Sequence, residues 1–272
     1  MIVDFHTHVF PEKIAEKTIR ILAEKAEIPP YTDGTTKGLL SQMEKGGVDV
    51  AVTLPVLTKP EQFDSVNRFA AEINETYRDS ARRLISFGGV HPAMEDIDGK
   101  MRFLKEKGFL GVKIHPDYQG TFIDDPGYIR ILEAAKEYDM IVVTHAGVDD
   151  GYAGQPVKCP PALAKKVIDR VKHPKFVLGH YGGHAEWEEV LDLLAGEDVY
   201  FDTAFTLHKI DAELFRKILQ KHGKERVLFA TDCPWRDMKE DVETLRGYGL
   251  GKDAEERIFS QNALDLLQIS VK

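Results

Sequence analysis

At 272 residues the chain is long enough to bury a substantial core, and its 43% hydrophobic content is that of a folded globular protein. A formal net charge of −9 disfavours a nucleic-acid backbone or an anionic lipid surface as partner, and no apolar run approaches the roughly 18 residues needed to span a bilayer. Two cysteines, Cys159 and Cys233, make no disulfide framework, and the N-terminus carries no leader pattern, so a reduced, cytoplasmic protein is expected.

Short apolar, β-branched runs predict eight strands, in chain order at residues 2–9, 48–54, 84–91, 111–115, 140–145, 176–180, 199–204 and 226–232. Each run is nearly continuous, the pattern of parallel strands covered on both faces. Helical spacing fills the gaps. Val66, Phe69, Ala70, Ile73 and Tyr77 form one stripe, Ile129, Leu132 and Ala135 another, and Leu214, Ile218 and Leu219 a third. Met101, Leu104 and Phe109 belong to a further helix and its exit, with Gly108 as the stop. Strand–helix alternation repeated eight times predicts an α/β fold, a single-domain (β/α)8 TIM barrel over residues 1–272, with a doubly wound open sheet as the alternative. A helical stretch at about 11–27, followed by Ile28-Pro29-Pro30-Tyr31, precedes a second helix at about 36–45. Residues 11–33 therefore read as an insertion in the first strand-to-helix loop, either a lid or surface decoration.

The chemistry gathers where strands end. In Asp4-Phe5-His6-Thr7-His8 the two histidines are two residues apart, so on a strand they project to one face and can supply two nitrogen ligands to a divalent metal. Other strands end in His91, in Lys113 and His115, in His145, in His180 and in Asp232. Six of the ten histidines fall at these ends, whereas His173, His184, His208 and His222 fall in expected helices or turns. Histidine and aspartate donors suit zinc, manganese or iron(II), with one or two ions. Asp232 can both bind metal and accept a proton from water. Cys233, its neighbour, points the other way in a regular strand and reads as packing.

The same residues resemble the amidohydrolase superfamily, in particular the amidohydrolase-related family that includes aminocarboxymuconate-semialdehyde decarboxylase. The resemblance runs through Val3-Asp4-Phe5-His6-Thr7-His8-Val9, Gly111-Val112-Lys113-Ile114-His115-Pro116 and Thr144-His145-Ala146-Gly147. It continues through Leu178-Gly179-His180-Tyr181-Gly182-Gly183, Phe229-Ala230-Thr231-Asp232-Cys233-Pro234-Trp235 and Asn262-Ala263 with Leu266-Leu267. It implies a deformed barrel with a metal, zinc first, at its C-terminal mouth, held by His6, His8, His145 and Asp232. It makes His180 a ligand to a second metal or a catalytic residue. In some members a lysine on the fourth strand is carboxylated and bridges two metals; a plain Lys113 that holds a substrate carboxylate is the other reading.

His115, His91 and Trp235 are candidate substrate contacts, and Arg236 either binds an anion or faces solvent. A hydrolase of an amide, ester or lactone comes first, with Asp232 as base and His180 assisting. The alternative is a non-oxidative decarboxylase, a carbon–carbon lyase using the same ligands; a non-catalytic metal-binding barrel comes third. The expected partner is a small-molecule substrate. Barrels of this type often self-associate, so a homo-oligomer is admitted.

Overall fold

The computed structural model describes residues 1–269. Nine strand segments run β1 Val3–Thr7, β2 Val50–Thr53, β3 Arg83–Ser86, β4 Gly88–Gly89, β5 Gly111–Ile114, β6 Ile141–Thr144, β7 Phe176–Leu178, β8 Tyr200–Asp202 and β9 Val227–Leu228. Every paired neighbour is parallel. Each segment lies within or against one of the eight expected strands. The third is split: β3 pairs with β2, whereas β4 pairs with β5, and Phe87 sits at the break. The sheet turns its corner there, and the ladder changes partner.

The last strand meets the first. Phe5 N–H donates to Phe229 O at 2.9 Å, Asp232 N–H to His6 O at 2.9 Å and His8 N–H to Cys233 O at 2.7 Å. The eight strands are thus a closed (β/α)8 barrel and not an open sheet. Two apolar layers follow from closure. One inner cluster holds Val3, Phe5, Val50, Val52, Ile85, Phe87, Val143 and Val177. A larger outer cluster holds Ala51, Leu84, Val112, Val142 and Phe201 against helix residues such as Met43, Ile73, Leu104 and Leu132.

The stretch after β1 is helical. α1, Glu12–Ala26, lies between β1 and α2, Thr36–Gly46. Thr35 caps α2 by accepting the N–H of Gly38, which starts the helix where the sequence predicts it. In α1 only Ala15 and Ile19 are buried. α3, Phe63–Thr76, follows β2. Among the described residues no helix is long and apolar enough to cross a membrane.

Candidate active site

The first strand delivers its two histidines through a local irregularity. The register of β1 on β2 shifts between Asp4 and Thr7, and such a shift re-aims the side chains around it. Asp4 pins this stretch to the last strand. Its Oδ1 accepts the N–H of His6 at 3.2 Å and of Thr231 at 3.1 Å, and its Oδ2 accepts the Thr231 hydroxyl at 2.6 Å. Burial pushes the Asp4 carboxyl up to about 7, against these three donors. The seam sets Asp232 opposite both histidines: its Oδ1 is 3.0 Å from His8 Nε2 and 3.6 Å from His6 Nε2. Asp232 has φ +70°, and His180 has φ +58°. Both are non-glycine residues in the left-handed region, a strain that surrounding structure must hold and that collects at functional sites.

The donor set fits a divalent cation. His6 Nδ1 bonds to Asp202 Oδ2 at 2.8 Å, and His8 Nδ1 bonds to the Leu54 carbonyl at 2.8 Å. His180 Nδ1 bonds to the Ala204 carbonyl at 2.9 Å. Each Nδ1 faces an acceptor and so carries the proton, which leaves each Nε2 with a lone pair. Lys113 Nζ, an obligate donor when charged, sits 3.1 Å from His6 Nε2. Burial holds His6 and His180 well below the usual histidine range, so both rings are neutral, as ligation requires. Two donors each about 2.1 Å from one tetrahedral ion lie about 3.4 Å apart, close to the two separations around Asp232. His145 adds an orphan: its Nε2 is buried and has no hydrogen-bond partner.

The expected residues do not all converge on one point. His6, His8 and Asp232 form one group whose ligand atoms lie within 4.8 Å of one another, and His115, His145 and Asp149 form a second. His180 bridges them, its ring centroid 5.3 Å from that of His6 and 4.5 Å from that of His145. His115 is stacked between Tyr118 at 4.1 Å and His145 at 4.4 Å. Its Nδ1 accepts the Tyr118 N–H at 3.4 Å, so the proton sits on Nε2, which points at Asp149 Oδ2 at 3.4 Å. That tautomer makes His115 a donor, unlike the three rings above. Lys113 is fully buried among Asp202, Asp232 and Asp149, and burial outweighs these anions in lowering its ammonium to about 8.

Two expectations fail on geometry. His91 does not line the cavity at the mouth; its Nδ1 accepts the Ala93 N–H at 3.1 Å and caps the turn after β4. Arg236 is buried and paired with Asp241 at 2.8 Å, so it is neither an anion site nor a solvent-facing side chain. Trp235 does line the cavity.

Three residues were missed. Asp202 orients His6, and an acid inside the apolar run 199–204 was its signal. Asp149 partners His115, and burial pushes it up to about 7. His184 lines the cavity because Gly147 and His184 pair as a bridge, with His184 N–H donating to Ala146 O at 2.9 Å. A Cβ on Gly147 would lie 2.1 Å from His184 N, and its φ is +81°, so only glycine allows that approach. No local pattern announces a contact between the ends of two different strands.

The cage opens into a cavity of about 670 Å³. Beyond the polar end its walls include Phe10, Ile14, Ile21, Val66, Phe69 and Trp235. Such an apolar pocket with a few convergent polar groups is the usual form of a small-molecule site.

A family model described as amidohydrolase matches residues 3–269. Similar solved structures include an uncharacterized TIM-barrel protein from Bordetella bronchiseptica, 16% identical over 98% of each chain with a TM-score of 0.78. Another is 5-carboxyvanillate decarboxylase from Novosphingobium aromaticivorans, complexed with manganese and 4-hydroxy-3-methoxy-5-nitrobenzoic acid. It is 15% identical over 99% of this chain and 96% of that one, with a TM-score of 0.75. A third is a probable 2-pyrone-4,6-dicarboxylic acid hydrolase from Acinetobacter baumannii with citric acid bound. It is 16% identical over 98% of this chain and 99% of that one, with a TM-score of 0.68. At these identities the likeness speaks for the fold. No curated protein matches the chain.

Proposed function

Because the chain belongs to the amidohydrolase family, we propose that this enzyme is a metal-dependent, non-oxidative decarboxylase of a carboxylic acid with an apolar body. This reverses the order drawn from the sequence, where hydrolysis came first. The observation that carries it is the pairing of a polar cage, the Lys113 ammonium set among histidine nitrogens and aspartates, with an apolar chamber. A carboxylate has its charge concentrated on two oxygens, and water stabilises it. As CO2 leaves, that charge spreads into the remaining carbon framework. An apolar chamber removes the water that favours the starting state and so lowers the barrier. The decarboxylase neighbours, two of them crystallised with manganese, point the same way.

His6, His8 and Asp232, completed by His145, would hold the ion. Bound there, a divalent cation, manganese or zinc, supplies a Lewis acid that stabilises negative charge on oxygen. The Lys113 ammonium is close enough to the cage to hold a carboxylate oxygen. The carbon–carbon bond breaks with its electron pair left on the substrate carbon, CO2 departs, and a proton goes to that carbon. Asp232 and His180 line the cavity and would relay this proton from water to the carbon. Apolar walls keep water from competing for the site.

Hydrolysis is the second reading. It is favoured by Asp232 Oδ1, 3.0 Å from a ligand nitrogen and so disposed to take a proton from water. The test is a panel of aromatic and enoic acids and lactones, assayed for CO2 and for deuterium at the new C–H bond in heavy water. CO2 with one deuterium is expected. Lactone opening with solvent 18O and no CO2 would sink the decarboxylase reading. Under either chemistry Asp232→Asn is expected to lower kcat by at least about a hundredfold while the barrel stays folded; retained turnover would remove Asp232 from the mechanism.

A further inference from the structure

The insertion helix α1 carries two neighbouring apolar stripes. One, Ala15 and Ile19, is buried. The other, Ile14, Thr18, Ile21 and Leu22, has i, i+4, i+7, i+8 spacing and lines the cavity. Ile14 and Ile21 remain 50% and 48% exposed. They are large apolar side chains facing a cavity rather than a core. Lys25, one turn further on, places its ammonium 3.2 Å from the centroid of the Tyr152 ring and ties the end of α1 to the loop after β6. The helix is therefore a wall with a defined seat.

α3 supplies the facing wall. Val66 and Phe69 line the same cavity and are only partly buried. The cleft between the two helices is continuous with the cage, because one cavity is lined by both Ile21 and Asp232. Its volume, about 670 Å³, falls within the roughly 300–1,000 Å³ of sites for drug-sized ligands.

We infer that the substrate is an amphipathic acid, with its carboxylate at the cage and an extended apolar tail laid between α1 and α3, and that Ile14 and Ile21 determine specificity for that tail. The head rests on the carboxylic-acid reading above; the tail does not depend on which bond is broken. Continuity with the polar cage selects this occupant. A second copy of the chain would cover the outer face of α1 and leave the inner cleft open to the cage.

The test uses the full-length, metal-loaded protein and a series of n-alkyl carboxylates from butanoate to decanoate, titrated calorimetrically. Kd is expected to fall about fourfold per methylene, the fold-change of a buried CH2, and then to level off when the cleft is filled. In Ile14→Ser/Ile21→Ser the gain per methylene is expected to shrink at least twofold. Metal content and melting temperature report whether that variant is folded. A Kd independent of chain length in the parent protein overturns the inference. So does an unchanged slope in the folded variant, or a variant that changes only the oligomeric state, which would assign the stripe to a second copy. Titration needs no turnover. A chain-length slope together with no CO2 from the aromatic and enoic panel sinks the proposed reaction and leaves the tail; CO2 from that panel without a slope does the reverse.

Discussion

A histidine offers a metal only one ring nitrogen, and the partner of the other nitrogen decides which. His6, His8 and His180 each bond an acceptor through Nδ1, a carboxylate or a carbonyl. His91 and His115 each accept a backbone N–H there, so their Nε2 atoms carry protons. Five histidines that look alike at strand ends therefore divide into lone-pair and N–H rings. Asp202 is the charged member of this outer layer, and burial pushes it up to about 6 against the pull of Lys113. Replacing it with Asn keeps the shape but weakens the fixing of the His6 tautomer. Asp202→Asn is expected to bind metal about 10- to 100-fold more weakly, with turnover recovering at excess metal. Competition with a chelator measures this, and unchanged affinity would remove Asp202 from the site.

At the scale of elements, the helix Met238–Gly247 shows how a charge near the mouth serves structure instead of chemistry. Arg236 donates to Asp241 Oδ1 through Nε at 3.1 Å and Nη2 at 2.8 Å, whereas Asp241 Oδ2 is buried without a partner. Burial outweighs the guanidinium and pushes Asp241 up to about 7 from an ordinary 3.8. The folded state therefore holds this proton more tightly than the unfolded state. The associated stability is fully present below about 4 and is lost as pH rises through about 7. Relative to Asp241→Asn, the parent protein is expected to lose stability steadily between those pH values. Urea denaturation of both proteins at several pH values reads the difference; a pH-independent difference would mean that Asp241 is ionised throughout.

The whole molecule depends on one seam. Residues 4–8 and 229–233 are far apart in the chain, and their hydrogen bonds close the barrel and form the cage together. Thr231 joins both jobs: its hydroxyl donates to Asp4 Oδ2 and accepts from Cys233 N–H at 3.1 Å. Thr231→Val keeps the volume and leaves both buried groups unsatisfied. It is expected to cost about 1–3 kcal/mol in unfolding free energy. Equilibrium denaturation checks this, and a variant as stable as the parent would show that other seam bonds suffice.

The sequence by itself determined the eight strands, their parallel direction and the helix that follows the first strand, because burial on both faces and helical spacing are local patterns. It also marked His6, His8 and Asp232 as strand-end donors. It could not separate His91 from those that reach the cavity, since both kinds occupy the same strand-end position and differ only in where a ring nitrogen finds its partner. Nor could it locate Asp202, Asp149 or His184 in the site, or pair Arg236 with Asp241. Those facts arise from contacts across strands and loops. Hydrogen-bond partners at that range are set by barrel closure, by the shift in the first strand and by the close approach at Gly147, and only the tertiary structure decides them.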